Sequence, residues 1–179
     1  MTRILRFLFV IVALPSSLFA RFQETAVQCD NRYGKPVNIK IVGAEQLRWY
    51  EKQGYIVEAV FSGGRAVEIF YSRKDHAGLS NAELNALMRF NMSESKWIRL
   101  NQAEQWKKNN GNSPLSEEQQ LKLMQDLSTF VIWRRADNKA EASYDREGGV
   151  LFIGERTRLD EARKTAVRER SVPESLKGF

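Results

Sequence analysis

The chain has 179 residues, 42% of them hydrophobic, with 28 basic and 22 acidic side chains and a formal net charge of +6. That length suits one domain of ordinary size, and four Trp with ten Phe supply bulky core material. Four Pro and eleven Gly exclude a fibrous or wholly disordered chain.

Residues 1–20, MTRILRFLFVIVALPSSLFA, place Arg3 and Arg6 ahead of an apolar run from Phe7 to Leu14, then Pro15 and small residues to Ala20. This is the charged, apolar, cleavable order of a secretory signal peptide. The apolar run falls short of the about 20 residues that span a bilayer. The expectation is export to the periplasm or the medium, with residues 21–155 as one domain and no stable membrane anchor after cleavage. Removing Arg3 and Arg6 with that segment lowers the formal charge from +6 to +4. The remaining basic pairs, Arg73-Lys74, Lys107-Lys108 and Arg134-Arg135, are scattered among acidic residues. No nucleic-acid partner is expected, because such partners need a concentrated basic patch.

Thr25 and Gln28 have capping-box spacing, Ala26, Cys29 and Tyr33 share a helical side, and Gly34 with Pro36 ends the helix. Cys29, the sole cysteine, has no internal disulfide partner and is expected half-buried on that helix. VNIKIV (37–42) alternates and predicts a half-buried strand with Val37, Ile39 and Ile41 inward. Trp49 to Lys52 predicts a short strand, with Gln53-Gly54 as a turn.

AVFSGGRAVEIFY (59–71) holds a double glycine followed by an arginine. A phosphate-binding glycine loop needs a helix N-terminus after it, whose N–H groups hold the anion. A strand pattern follows here instead, so Gly63-Gly64 reads as the tight turn of a hairpin joining Tyr55–Phe61 to Ala66–Ser72. A two-residue turn pairs Phe61 with Ala66, Val60 with Val67, Glu58 with Ile69 and Val57 with Phe70. A three-residue loop would set Glu58 against Glu68, which like charges disfavour. That register puts Val57, Phe61 and Phe70 on one face and Ile56, Val60 and Tyr71 on the other. Val57, Phe61 and Phe70 are the candidate binding residues, on a face left partly exposed to a partner.

Ser80 and Glu83 form a second capping box, Leu79 and Leu84 a hydrophobic staple, and Leu84, Leu87 and Met88 an apolar helix face. Residues 91–114 are polar, with Trp97 and Trp106 as isolated anchors; the second sheet face is expected to be covered by residues 91–130 or else exposed to a partner. A helix capped by Ser116 is expected to turn Leu121, Met124 and Leu127 inward. TFVIWRR, KAEASY and VLFIGE follow as three strands, with turns at Asp137-Asn138 and Gly148-Gly149. Residues 156–179 are densely charged and read as an exposed helix or a disordered tail. Antiparallel strands with inserted helices predict an α+β fold: a single antiparallel sheet of about six strands with two or three helices packed on one face.

Catalytic constellations are missing. Ser93 and Lys96 have S-x-x-K spacing, without the S-D-N and K-T-G elements that complete such a site. His76 is the sole histidine and reads as a loop residue. One His and one Cys cannot build a zinc site, and neither a metal nor a cofactor is expected. Asp145 and Glu147 flank a turn and read as solvent-facing. Asn91-Met92-Ser93 is a glycosylation sequon of the kind that arises by chance.

The short helix ending in RYGKP, followed by strands and a glycine-turn hairpin over about residues 25–72, resembles the opening of the β-lactamase-inhibitor-like fold. It is also similar to the small outer-membrane assembly lipoproteins of that architecture, although this chain lacks their lipidated cysteine. The KW…WRRADNKAEASYD pattern resembles uncharacterised small exported bacterial proteins across most of 25–154. Neither resemblance implies an activity or transfers a functional residue. The expected function is an exported, non-catalytic module that binds a protein partner or acts as a scaffold. The alternative is a small hydrolase whose carboxylates are distant in sequence.

Overall fold

The computed structural model describes residues 22–92, 94–101, 104 and 116–161. Residues 1–20, Ser93, Trp106, the Leu127 side chain and the residues beyond 161 lie outside them.

The elements run α1 (Ala26–Tyr33), β1 (Asn38–Val42), β2 (Glu45–Lys52), β3 (Tyr55–Ser62), β4 (Arg65–Arg73), α2 (Asn81–Phe90), β5 (Trp97–Arg99), α3 (Glu117–Thr129), β6 (Phe130–Arg135), β7 (Ala140–Asp145) and β8 (Val150–Glu155). The fold is α+β with a single antiparallel sheet, of eight strands rather than about six, in the order β1-β2-β3-β4-β8-β7-β6-β5. Two four-stranded meanders meet along β4 and β8, where Phe70 pairs with Phe152. The unforeseen β5 hides in the polar 91–114 stretch. Its three residues pair with Arg135, Arg134 and Trp133 of β6.

Local chemistry sets the helix ends. The Thr25 hydroxyl accepts from the Gln28 N–H, and the Gln28 side chain accepts the Thr25 N–H at 2.8 Å. Gly34 closes α1 at φ +96°, a left-handed conformation that favours glycine. Ser80 and Glu83 repeat the reciprocal cap on α2, with the Ser80 N–H donating to Glu83 at 2.7 Å.

α1 and α2 lie on the same face of the sheet. Cys29 and Tyr33 from α1, and Leu84, Leu87 and Met88 from α2, join Val57, Ala59, Phe61, Ile69, Tyr71, Leu151 and Ile153 in one buried cluster. Burying each large apolar side chain of this kind stabilises the fold by about 1.5–3 kcal/mol. Cys29 is fully buried rather than half-buried. Trp97 belongs to this face as well, its indole N–H donating to the Met88 carbonyl at 3.0 Å, so it does not cover the opposite one.

The Gly63-Gly64 turn has positive φ at both residues, +57° and +80°, and pairs Ser62 with Arg65 and Phe61 with Ala66. Beyond it the expected register fails. A bulge shifts the ladder by one, so Val60 meets Glu68, Ala59 meets Ile69, Glu58 meets Phe70 and Val57 meets Tyr71. Strict alternation from Ala66 would have put Glu68 opposite Ala59 in the core. The extra residue, Val67, turns Glu68 outward and brings Ile69 and Tyr71 inward, because one residue of slip exchanges the faces. At the interruption the Ala66 backbone bonds to the chain before α1: Gln23 N–H to Ala66 O at 2.9 Å, and Ala66 N–H to Glu24 O at 2.8 Å.

Two further expectations are corrected. β1 is exposed at all five positions instead of half-buried, because it is an edge strand that no described helix covers. Leu121 and Met124 of α3 face outward, since the helix touches the sheet chiefly at β6. Residues 156–161 are helical, one of the two expected alternatives for that stretch, and Arg158 donates to Glu45 at 2.6 Å and to Glu68 at 3.1 Å.

Candidate functional site

The edge strand β1 is the first candidate. Ile39 pairs with Arg48 and Ile41 with Gln46, so both point to the helix-bearing side. α1 stops short of them because Asp30 holds it over β2. Asp30 accepts two bonds from Arg48 Nη1, at 2.7 and 2.9 Å, and one from the Tyr50 hydroxyl at 2.9 Å. The overhanging row Val37, Ile39 and Ile41 is 61%, 47% and 63% exposed. No strand among the described residues pairs with the outer side of β1. Natural sheets blunt such edges with charge, proline or a covering element. Here Pro36 precedes an apolar row that remains open, and Lys40 points to the other face.

The sheet face opposite α1 and α2 is the second. Phe70 and Phe152 pack there with ring centroids 4.9 Å apart, and half-buried Trp49 and Ile56 share the same face. Gly154 leaves room for the Phe152 ring, whose atoms come within 2.5 Å of where a Cβ would stand. The three binding residues expected from sequence are divided. Val57 and Phe61 are buried beneath the helices, whereas Phe70 lies on the opposite face, turned there by the bulge.

A cleft of about 250 Å³ opens between α1 and α2. Tyr33 and Tyr71, Val57, and Leu87 with Phe90 line it, and Lys52 and Glu83 stand at its rim. The Tyr33 and Tyr71 hydroxyls are 3.1 Å apart, and Asn91 donates to Tyr71 at 3.2 Å. Sequence inspection did not find this cleft, whose lining residues come from five separate elements.

The catalytic candidates have structural duties. Asp145 accepts the N–H groups of Glu147 and Gly148 at 2.9 and 3.0 Å, which holds the β7–β8 turn. Glu147 accepts from the Thr129 hydroxyl at 3.4 Å. His76 is exposed in a turn at φ +59°. Asn91 of the sequon is buried. Among the described residues, no group of three or more His, Cys, Asp or Glu could hold a metal ion. No described helix is long and apolar enough to cross a membrane.

No family model matches the chain, and no curated protein matches it. Among solved structures it is similar to a cysteine-rich secretory protein from Staphylococcus aureus subsp. aureus Mu50, at 8% identity and a TM-score of 0.39. That similarity covers 77% of this chain and 46% of the staphylococcal one, so the chain spans less than half of that protein's length.

Proposed function

We propose that this protein is an exported, non-catalytic binding module that captures an extended segment of another protein along β1. The exposed row Val37, Ile39 and Ile41 on an unpaired sheet edge carries this reading. A strand added there gains main-chain hydrogen bonds, and its alternate side chains cover the apolar row. Lys35 precedes the strand and Lys40 lies within it on the face opposite Ile39 and Ile41, so the matching segment alternates apolar with acidic residues. Export rests on the signal-peptide order of residues 1–20. The hydrolase alternative draws no support from Asp145 and Glu147, which are tied into turns.

The test uses a short peptide of alternating valine and glutamate, with a scrambled peptide as control. Hydrogen exchange at the β1 amides should slow with the first peptide and not with the second. Ile39→Pro removes an edge donor and should abolish the protection while the rest of the sheet stays protected. Equal protection by both peptides, or none, overturns the proposal. Concentration-dependent dimerisation through β1 without peptide would make a second copy the occupant and also overturn it.

A further inference from the structure

We propose that the cleft between α1 and α2 binds a small apolar carboxylic acid about one aromatic ring in size. This second site is independent of β1.

Size is the first argument. The cleft holds about 250 Å³, and an apolar cavity of about 150 Å³ already accepts benzene. Larger cofactors need about 300–1,000 Å³. Val57, Leu87 and Phe90 give the apolar contact that a ring requires. The Tyr33–Tyr71–Asn91 hydrogen bonds hold the floor in place, so the space does not depend on a mobile side chain.

Charge is the second argument, and it selects an acid. Glu83 at the rim is already satisfied: it accepts from the Ser80 hydroxyl at 2.6 Å, from Arg73 at 2.9 Å and from the Tyr55 hydroxyl. Arg32 is likewise spent on Glu24, to which its Nε donates at 3.1 Å. Lys52 is different. Its ammonium donates to the Arg32 carbonyl, and among the described residues no carboxylate forms an ion pair with it. An anion at the mouth would complete the charge balance while its apolar part fills the cleft. A cation would meet Lys52 unfavourably and find Glu83 already committed.

The experiment is a titration of the isotope-labelled chain with phenylacetate, read by NMR, with phenylacetamide as the uncharged match. Phenylacetate should give saturable shifts at Val57 and Leu87. Ala86→Trp, which fills the cleft, should abolish them. Lys52→Gln changes only an exposed side chain, and it should weaken binding about threefold to fivefold, as should the amide. Absence of saturable shifts overturns the proposal, as does their survival in Ala86→Trp. Equal affinity for acid and amide, or no weakening in Lys52→Gln, overturns the charge selection.

Discussion

Asn91 accepts the backbone N–H of Phe22 on its side-chain oxygen at 3.1 Å, joining residues 69 apart in the chain. Its amide also donates to the Leu87 carbonyl at 2.8 Å and the Tyr71 hydroxyl at 3.2 Å. One buried side chain thus ties the segment before α1 to the end of α2 and to β4. Asn91→Ala should cost about 1–3 kcal/mol, because it leaves buried polar groups unpaired. Denaturant midpoints measure this, and an unchanged midpoint would contradict it. The same burial predicts that folded protein carries no glycan at Asn91.

Leu84 is buried in the cluster that includes Leu79, on the face of α2 that meets the sheet. Leu84→Ala should destabilise the fold by about 2–5 kcal/mol, the transfer and cavity cost of a buried leucine. Thermal or urea unfolding of the variant checks it.

Burial pushes the Cys29 thiol up to about 12, and the neighbouring Glu24 carboxylate adds to the rise. The thiolate is the reactive form, so native protein at neutral pH should resist iodoacetamide and label rapidly once unfolded. Complete labelling of the native protein would contradict the packing of α1.

The Ser80 hydroxyl, the Tyr55 hydroxyl and Arg73 hold the Glu83 carboxyl at about 2, below its ordinary 4.5. A carboxyl depressed in the folded state contributes stability that is fully present above about 4.5 and lost as pH falls towards about 2. Asp75, held at about 2 chiefly by Arg73, acts in the same direction. The melting temperature should therefore fall across that window. Glu83→Gln should lower it at neutral pH and flatten the acid dependence.

Exported material should begin near Arg21, as the order of residues 1–20 implies. N-terminal sequencing of the exported fraction measures this, and a start at Met1 would count against cleavage.

The capping boxes at Thr25 and Ser80, the stop at Gly34 and the turn at Gly63-Gly64 were all legible in the sequence. Each is settled by groups within about four residues of one another, so local spacing carries the whole signal. The α+β class was legible for a related reason, since alternating runs and helical runs have different periods. β5 was not, because three residues are too short to show a period.

Tertiary structure decided the rest. The bulge at Val60/Phe61 turned Phe70 away from Val57 and Phe61, because the core could accept Ile69 and Tyr71 but not Glu68. β1 has the alternation of a half-buried strand, yet Asp30 anchors α1 over β2 and leaves Val37, Ile39 and Ile41 uncovered. The cleft exists only because α1 and α2 rest apart on one face. Sequence by itself determined the capped ends of α1 and α2, the glycine turn and the α+β class through short-range hydrogen bonding and periodicity. Which apolar residues are covered depends on neighbours tens of residues away, and only the packed sheet brings those together.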